Sequence, residues 1–417
     1  MTTSRTPAPS VDRLAPWAFE AFVEANTHDT AYRPPVVDGP VGPTIIRNGH
    51  ELVNFASISF LDLERHVPVR RLFAEGARAH GLSTSGSRMT QGICRPHQVL
   101  EETIARHTGK ERAISFATGL LANIGFVNAM SSSAHFDTGI EVRNHDTFFV
   151  VDRDVHWSIW KGLEGLGYGR NVHAFRHNDV SGLARVLDRV RARDRKTVVI
   201  AESIYSADGT MGPIVEILDE CDRHGAISMI DDANGFMVYG PENRPYAREA
   251  AAIRERADFV MVSLSKAIGL EGGAIAGPAA AIDAFELLSG TSMFTAAIQP
   301  PTAYVATRTI ETLADNPAIV DDYLAHAARL RRQMHEADTP TTPTESYMLS
   351  VPIGNDAAAL QMREWFVEDG YLVPVFSYPA VSRNQALLRL FPHAGHTEEQ
   401  LDGFLSTLLT YRRRLGV

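Results

Sequence analysis

Four short apolar runs, 147–151, 197–201, 226–230 and 259–262, recur through the middle of the chain. Hydrophobicity that is continuous rather than alternating over four or five residues marks strands buried on both faces of a mainly parallel sheet. Each run gives way to polar residues: Asp152, Glu202, Asp231, and the segment from Ser263 to Lys266. In open α/β sheets functional groups collect just beyond the carboxyl ends of strands, so these four positions become candidates together. Between the runs the period changes. Over 180–193, Leu183, Val186, Leu187 and Val190 fall on one helix face. A long helical stretch at 303–336 leads to the Thr/Pro-rich hinge TPTTPTES and a shorter mixed region. The pattern predicts an α/β protein with a tail and arm over 1–50, a large unit over 51–302, and a linking helix with a smaller C-terminal α/β unit over 303–417.

A chain of 417 residues exceeds what one growing core accommodates, which agrees with two packed units. The formal net charge of −10 argues against general affinity for nucleic acid or anionic membranes. The most apolar window, 272–288, is interrupted by Pro278, Asp283 and Glu286, so no spanning helix is expected. The opening MTTSRTPAPS lacks a basic and then apolar leader pattern and reads as a disordered tail, which places the protein in the cytoplasm. Cys94 and Cys221 are too far apart in sequence for a zinc-type spacing. The pairs His393/His396 and His173/His177 have ligand-like spacing but no acidic third ligand in a recognisable motif, so no metal is expected.

Lysine usage sharpens the search for chemistry. Of forty Lys and Arg residues only Lys110, Lys161, Lys196 and Lys266 are lysines. Lys110 and Lys196 lie in charged stretches, and no strand delivers Lys161. Lys266 closes DFVMVSLSK at a strand end and precedes the glycine-rich AIGLEGGAIAG. A lysine held in a partly desolvated pocket has the lowered pKa that an amine needs to attack a carbonyl. A strand-end lysine reaching solvent would read the same way. Asp231, in AISMIDDAN, ends another apolar run, where a buried acid requires a positive partner. Pyridoxal phosphate chemistry needs such a pair, a Schiff-base lysine and a carboxylate on the pyridinium nitrogen. The alternative is that DDAN caps a turn.

Eight segments in order, STSGSR, HQVLEE, ATGLLAN, DVHWS, ESIYSADGTMGP, IDDAN, SLSKAIGLEGG and LRLFPHAGHT, resemble those of the α-oxoamine synthases. These are fold-type I pyridoxal-phosphate transferases with a large domain, a mainly parallel seven-stranded type of sheet and a smaller C-terminal α/β domain. HWSIWKGL, SIYSADGTMGPIVEI and VFSYPAVSRN are especially similar to the α-hydroxyketone autoinducer synthases, and the frame is also similar to 8-amino-7-oxononanoate synthase. The resemblance implies that Lys266 binds pyridoxal 5′-phosphate covalently and later shuttles a proton, that Asp231 pairs with its ring nitrogen, and that His156 stacks on the ring. It implies that Gly119, Leu120 and Ser263 receive the phosphate, that Ser206 and Glu202 lie near the ring, and that Arg389 clamps the amino-acid carboxylate. Ser87 and Arg88 would lie near the substrate.

Three positions depart from the family pattern. Asn234 replaces a histidine that donates to the cofactor's phenolic oxygen, Ile58 replaces an asparagine that holds the substrate carboxylate, and Ala297 replaces a hydroxyl residue reaching a neighbouring subunit's phosphate, with Thr295 as a substitute. The implied reaction is condensation of an α-amino acid, or a donor like S-adenosylmethionine, with an acyl-CoA or acyl-carrier-protein thioester in a homodimer, giving an α-aminoketone for signalling or secondary metabolism. The alternatives are an aminotransferase, an aldolase or lyase, or a catalytically idle homologue acting as a regulatory subunit.

Overall fold

The computed structural model describes residues 15–26, 34–135, 137, 139–191, 196–378 and 380–416. The expected N-terminal tail at 1–14 and the end of the helix expected over 180–193 lie outside the described residues.

A seven-stranded sheet forms the centre. Its strands are β1 (Arg112–Phe116), β2 (Phe148–Asp152), β3 (Val172–Phe175), β4 (Thr197–Glu202), β5 (Ile227–Asp231), β6 (Phe259–Ser263) and β7 (Gly273–Gly277), in the spatial order β1-β7-β6-β5-β4-β2-β3. All run parallel except β7, which is antiparallel to both neighbours. The four apolar runs are β2, β4, β5 and β6, each within a residue of the expected bounds. Their lack of alternation has a direct cause. Phe148 and Val150 of β2 and Val199 and Ala201 of β4 face one core, and Phe149, Val151, Val198 and Ile200 face a second core on the opposite side.

The expected helix at 303–336 is two helices, Pro300–Asp315 and Ala318–Glu336. Pro317 caps the second, because a proline ring has no N–H to continue the first helix. The apolar window at 272–288 splits likewise into β7 and the helix Ala279–Leu288, and no described helix is long and apolar enough to cross a membrane.

A three-stranded antiparallel sheet near the C-terminus orders Leu349–Gly354, Ala386–Leu390 and Val375–Phe376. The strand His50–Asn54, assigned by sequence mostly to the large unit, pairs with Tyr371–Leu372 of this C-terminal region. Phe391 N–H donates to Phe55 O, and Phe60, Tyr323, Tyr347 and Phe391 pack their rings together. Tyr347 Oη donates to Asn234 O and Arg389 Nη1 to Ser206 O, which fixes the C-terminal strands against the carboxyl end of the large sheet.

Candidate active site

Six parallel strands present their carboxyl ends on one side of the sheet, and a cavity of about 260 Å³ opens there. Asp231 ends β5, Glu202 ends β4, Ser263 ends β6, and Lys266 follows three residues later. His156 begins the helix Trp157–Leu163 just after β2, and Gly119 and Leu120 begin the helix Gly119–Ser131 just after β1. All of these line the cavity, with Ser206 and Asn234. Nine of the residues singled out from sequence thus converge from five strand ends.

The electrostatics are set by burial. Desolvation pulls the Lys266 amine down to about 8; the Arg389 charge adds to this, and Glu202 and Asp231 oppose it. Lys110 is also lowered to about 8, but it donates to Ile253 O and Arg254 O at 3.1 and 2.9 Å and caps a helix away from the cavity. Geometry, rather than basicity, separates the two amines. Desolvation raises Asp231 despite hydrogen bonds from Asn123 and the Ala233 amide and the nearby His156 and Lys266. Glu202 is pushed well above the usual carboxylate range by burial and by Asp231, although it accepts the His156 and Ser206 amides. His156 is lowered, chiefly by desolvation. The second acid of the pair, Asp232, lines a different cavity, and burial raises it to about 7.

Arg389 approaches from the strand Ala386–Leu390. Its Nη1 donates to Ser206 O at 2.6 Å, its guanidinium lies 4.1 Å from the Phe376 ring centre and 5.1 Å from that of Phe391, and its buried Nε has no partner. Burial lowers it to about 10.

Four expected residues are not brought to the cavity of their own chain. Arg88 is buried and its donors are spent: it pairs with Glu101 at 2.7 Å and with Glu286, and reaches Ser115 Oγ at 3.4 Å. It ties two helices and β1 together, so the expected substrate contact is corrected to an anchoring role within the chain. Ser87 bonds to Thr90 Oγ1 at 3.0 Å and bridges Ala296, the neighbour of Thr295. Thr295 and Ile58 do not line the cavity, and Ile58 packs against the main core. The paired histidines serve the fold: His396 accepts from the His393 amide at 3.1 Å, and His177 contacts Asp152 at 3.3 Å. No group of three potential metal ligands occurs among the described residues.

Sequence reading missed Asn123 and Ser158. Asn123 Nδ2 donates to Asp231 Oδ2 at 2.8 Å and to Ser158 Oγ at 2.9 Å. Both lay inside quoted motifs, but only the fold brings them beside Asp231.

The residues present fit pyridoxal 5′-phosphate. Asp231 is a buried acid whose direct hydrogen-bond donors are neutral, which leaves a place for a cationic ring nitrogen. Thr118 caps the helix that follows β1, and the first amides, of Gly119 and Leu120, have no intrahelical acceptor and can meet a phosphate. A Cβ at Gly273 would lie 2.6 Å from Gly119 Cα, and one at Gly119 would lie 2.9 Å from Met261 Cε, so this cradle is built from glycines. Asn123 Oδ1 and Asn234 Oδ1 are buried acceptors without donors beside the same cavity.

Residues 50–408 match the aminotransferase class I and II family. The chain is 31% identical over 373 residues to an 8-amino-7-oxononanoate synthase of Alcanivorax borkumensis, covering 89% of this chain and 92% of that protein. A serine palmitoyltransferase of Sphingomonas wittichii superposes with a TM-score of 0.83 at 26% identity, covering 98% of this chain and 99% of that one. A serine palmitoyltransferase of S. paucimobilis, solved with bound PLP–myriocin aldimine, shares the fold with a TM-score of 0.85 at 23% identity, covering 98% and 100%.

Proposed function

The chain belongs to the aminotransferase class I and II family and, within it, to the α-oxoamine synthases, and from that premise we propose that it is a pyridoxal-phosphate-dependent acyltransferase, which condenses an α-amino acid with an acyl thioester with loss of CO2. Pyridoxal 5′-phosphate, when bound, supplies an electron sink for the pair left at the substrate α-carbon.

The remaining work falls to the chain. The amides at the start of the helix Gly119–Ser131 and the hydroxyl of Ser263 would hold the phosphate. Asp231 would pair with the ring nitrogen and favour its protonated form by its negative charge, which burial makes effective at short range. Lys266, with its amine near 8, accepts and returns a proton near neutral pH at little cost to either state. Arg389 offers a planar guanidinium, already oriented by Ser206 and Phe376, to the amino-acid carboxylate. His156 lines the cavity and keeps a neutral imidazole there.

The observation that carries this reading is the desolvated Lys266 amine in the same cavity as the buried Asp231. The departures at Asn234 and Ile58 favour an unusual amino donor, and the motifs around Trp157 and Phe376 favour a signalling or secondary-metabolic product. The acyl donor is an acyl-CoA or an acyl-carrier protein, and the enzyme is a cytoplasmic homodimer.

Absorption spectroscopy with pyridoxal phosphate tests the cofactor, and thiol release with a panel of amino acids and acyl thioesters tests the reaction. Wild type is expected to gain a violet-region band that unliganded Lys266→Ala lacks, and to release thiol with one donor class. Amine exchange with a keto acid and no thiol release would assign an aminotransferase instead. Full loading with no turnover would leave a regulatory homologue.

A further inference from the structure

The hydrogen bonds behind the cavity have a fixed direction. Asp231 accepts on both oxygens, from Ala233 N–H at 3.1 Å on Oδ1 and from Asn123 Nδ2 at 2.8 Å on Oδ2. An ionised carboxylate only accepts, so the Asn123 amide must turn its NH2 towards Asp231. That orientation leaves Asn123 Oδ1 buried without a donor, a cost that the opposite orientation would exceed by setting two acceptors face to face. The second N–H of the same amide reaches Ser158 Oγ at 2.9 Å. Ser158 Oγ therefore accepts from Asn123, and its own proton is free to donate. Its remaining neighbour is His156 Nδ1 at 2.7 Å, and the Ser158 backbone N–H reaches that same nitrogen at 3.3 Å. Two donors converge on Nδ1.

We propose that Asn123 and Ser158 are positioning residues that carry the ionised state of Asp231 to His156, locking its imidazole as the neutral tautomer with the proton on Nε2. The lock makes the free edge of the ring a hydrogen-bond donor and never an acceptor. A ligand atom meeting that edge must be an oxygen or nitrogen with a lone pair, such as a carboxylate or thioester oxygen. Asp231 thus does two things through its two oxygens, and the charge on the buried carboxylate sets the polarity of a side chain it does not touch. The inference concerns the same cavity as the proposed reaction, but it stands on hydrogen-bond directions within the chain and does not depend on the cofactor.

The charged groups acting on the ring are Asp231, Lys266 and Arg389, and Glu202 accepts its backbone N–H. Donors to Nδ1 stabilise the neutral ring against protonation, adding to the lowering that burial already causes. Losing them must therefore move the titration of His156 upward.

Nitrogen-15 labelling of the histidines of the full-length protein, read by long-range proton–nitrogen correlation with and without pyridoxal phosphate, tests the lock. His156→Gln identifies the signal. Wild type is expected to show one neutral tautomer, protonated on Nε2, in both preparations. In Ser158→Ala and Asn123→Ala the other tautomer appears, and in Ser158→Ala the titration midpoint rises by roughly half a unit to one unit. Ser158→Thr, which keeps the hydroxyl, retains the wild-type signal. A wild-type ring protonated on Nδ1, or an unchanged tautomer and midpoint in Ser158→Ala, would overturn the proposal. Since wild type alone can decide against it, the test survives a variant that fails to fold. Failure of cofactor loading would count against the proposed reaction and leave the signal without cofactor to be read.

Discussion

The scarcity of lysine makes the side-chain chemistry testable in isolation. Lys266 and Lys110 are each held near 8, against a usual amine value of 10.5, so each amine binds fewer protons in the folded than in the unfolded chain between those two pH values. Stability therefore rises with pH from about 8 to 9, and the lysine penalty is complete below that window; above 9 the buried Cys221 thiol, pushed up to about 12, opposes the slope. Denaturant unfolding of the cofactor-free protein is expected to show this slope. Lys266→Met should remove about half of it and Lys110→Met the other half; an unchanged slope in Lys266→Met would mean that the amine is solvated. Arg389 gives a second prediction. Lysine keeps its charge but not a plane that can lie over Phe376 at 4.1 Å or donate in parallel to a carboxylate. Arg389→Lys is expected to raise the KM for the amino acid by about ten- to a hundredfold with a smaller change in kcat, and to leave the cofactor absorption unaltered. Lys266 and Asp231 were legible as candidates because each ends or closely follows an apolar run whose pattern is local, whereas Arg389 was named only through the resemblance carried by LRLFPHAGHT. Arg88 was misassigned because the partner that defines it, Glu286, lies 198 residues away. Asn123 escaped for the same reason, with 108 residues between it and Asp231.

Elements carry these side chains to one place, and the glycines at their junctions set the tolerance. β7 begins at Gly273, which pairs with Phe116 of β1 on one side and Ser263 of β6 on the other. A Cβ there would meet Gly119 Cα at 2.6 Å and Gly119 N at 2.9 Å, and these are backbone atoms that cannot rotate away. Gly273→Ala is expected to cost about 1–3 kcal/mol in denaturant unfolding and to weaken pyridoxal phosphate binding, because the first amides of the helix Gly119–Ser131 must shift. Gly119→Ala should be milder in stability, since the atom it meets at 2.9 Å is the flexible end of Met261. Fluorescence or absorbance titration with the cofactor, beside the unfolding midpoint, separates the two effects. The strands themselves were readable because the sheet is buried on both faces, which replaces alternation with unbroken apolar runs. The break at Pro317 was hidden because apolar residues continue on both sides of it, and the periodicity alone does not register the end of one helix and the start of another. The antiparallel sense of β7 was equally hidden, because a sequence run carries no direction relative to its neighbours.

At the scale of the whole molecule, three of the residues that did not reach their own cavity, Ser87, Arg88 and Thr295, lie on neighbouring segments. The bridge between Ser87 and Ala296 joins two loops, and buried Arg88 holds them to Glu101 and Glu286. Beside this rigid pair Phe294 is 83% exposed, and Met89 and Ile93 are exposed nearby in sequence. A large aromatic side chain left in water on a loop anchored by a buried ion pair is costly unless another surface covers it. If the second copy of the proposed homodimer supplies that surface, the loops bearing Ser87 and Thr295 would serve the partner's site rather than their own. Phe294→Glu is expected to shift the protein from twice the chain mass towards monomer in sedimentation velocity, because taking a carboxylate out of water at a dimer contact is costly where the aromatic ring it replaces gains by burial. Activity should fall with the dimer fraction and recover as protein concentration rises. An unchanged dimer with unchanged turnover would place the contact on another face and return Ser87 and Thr295 to a role in loop structure alone.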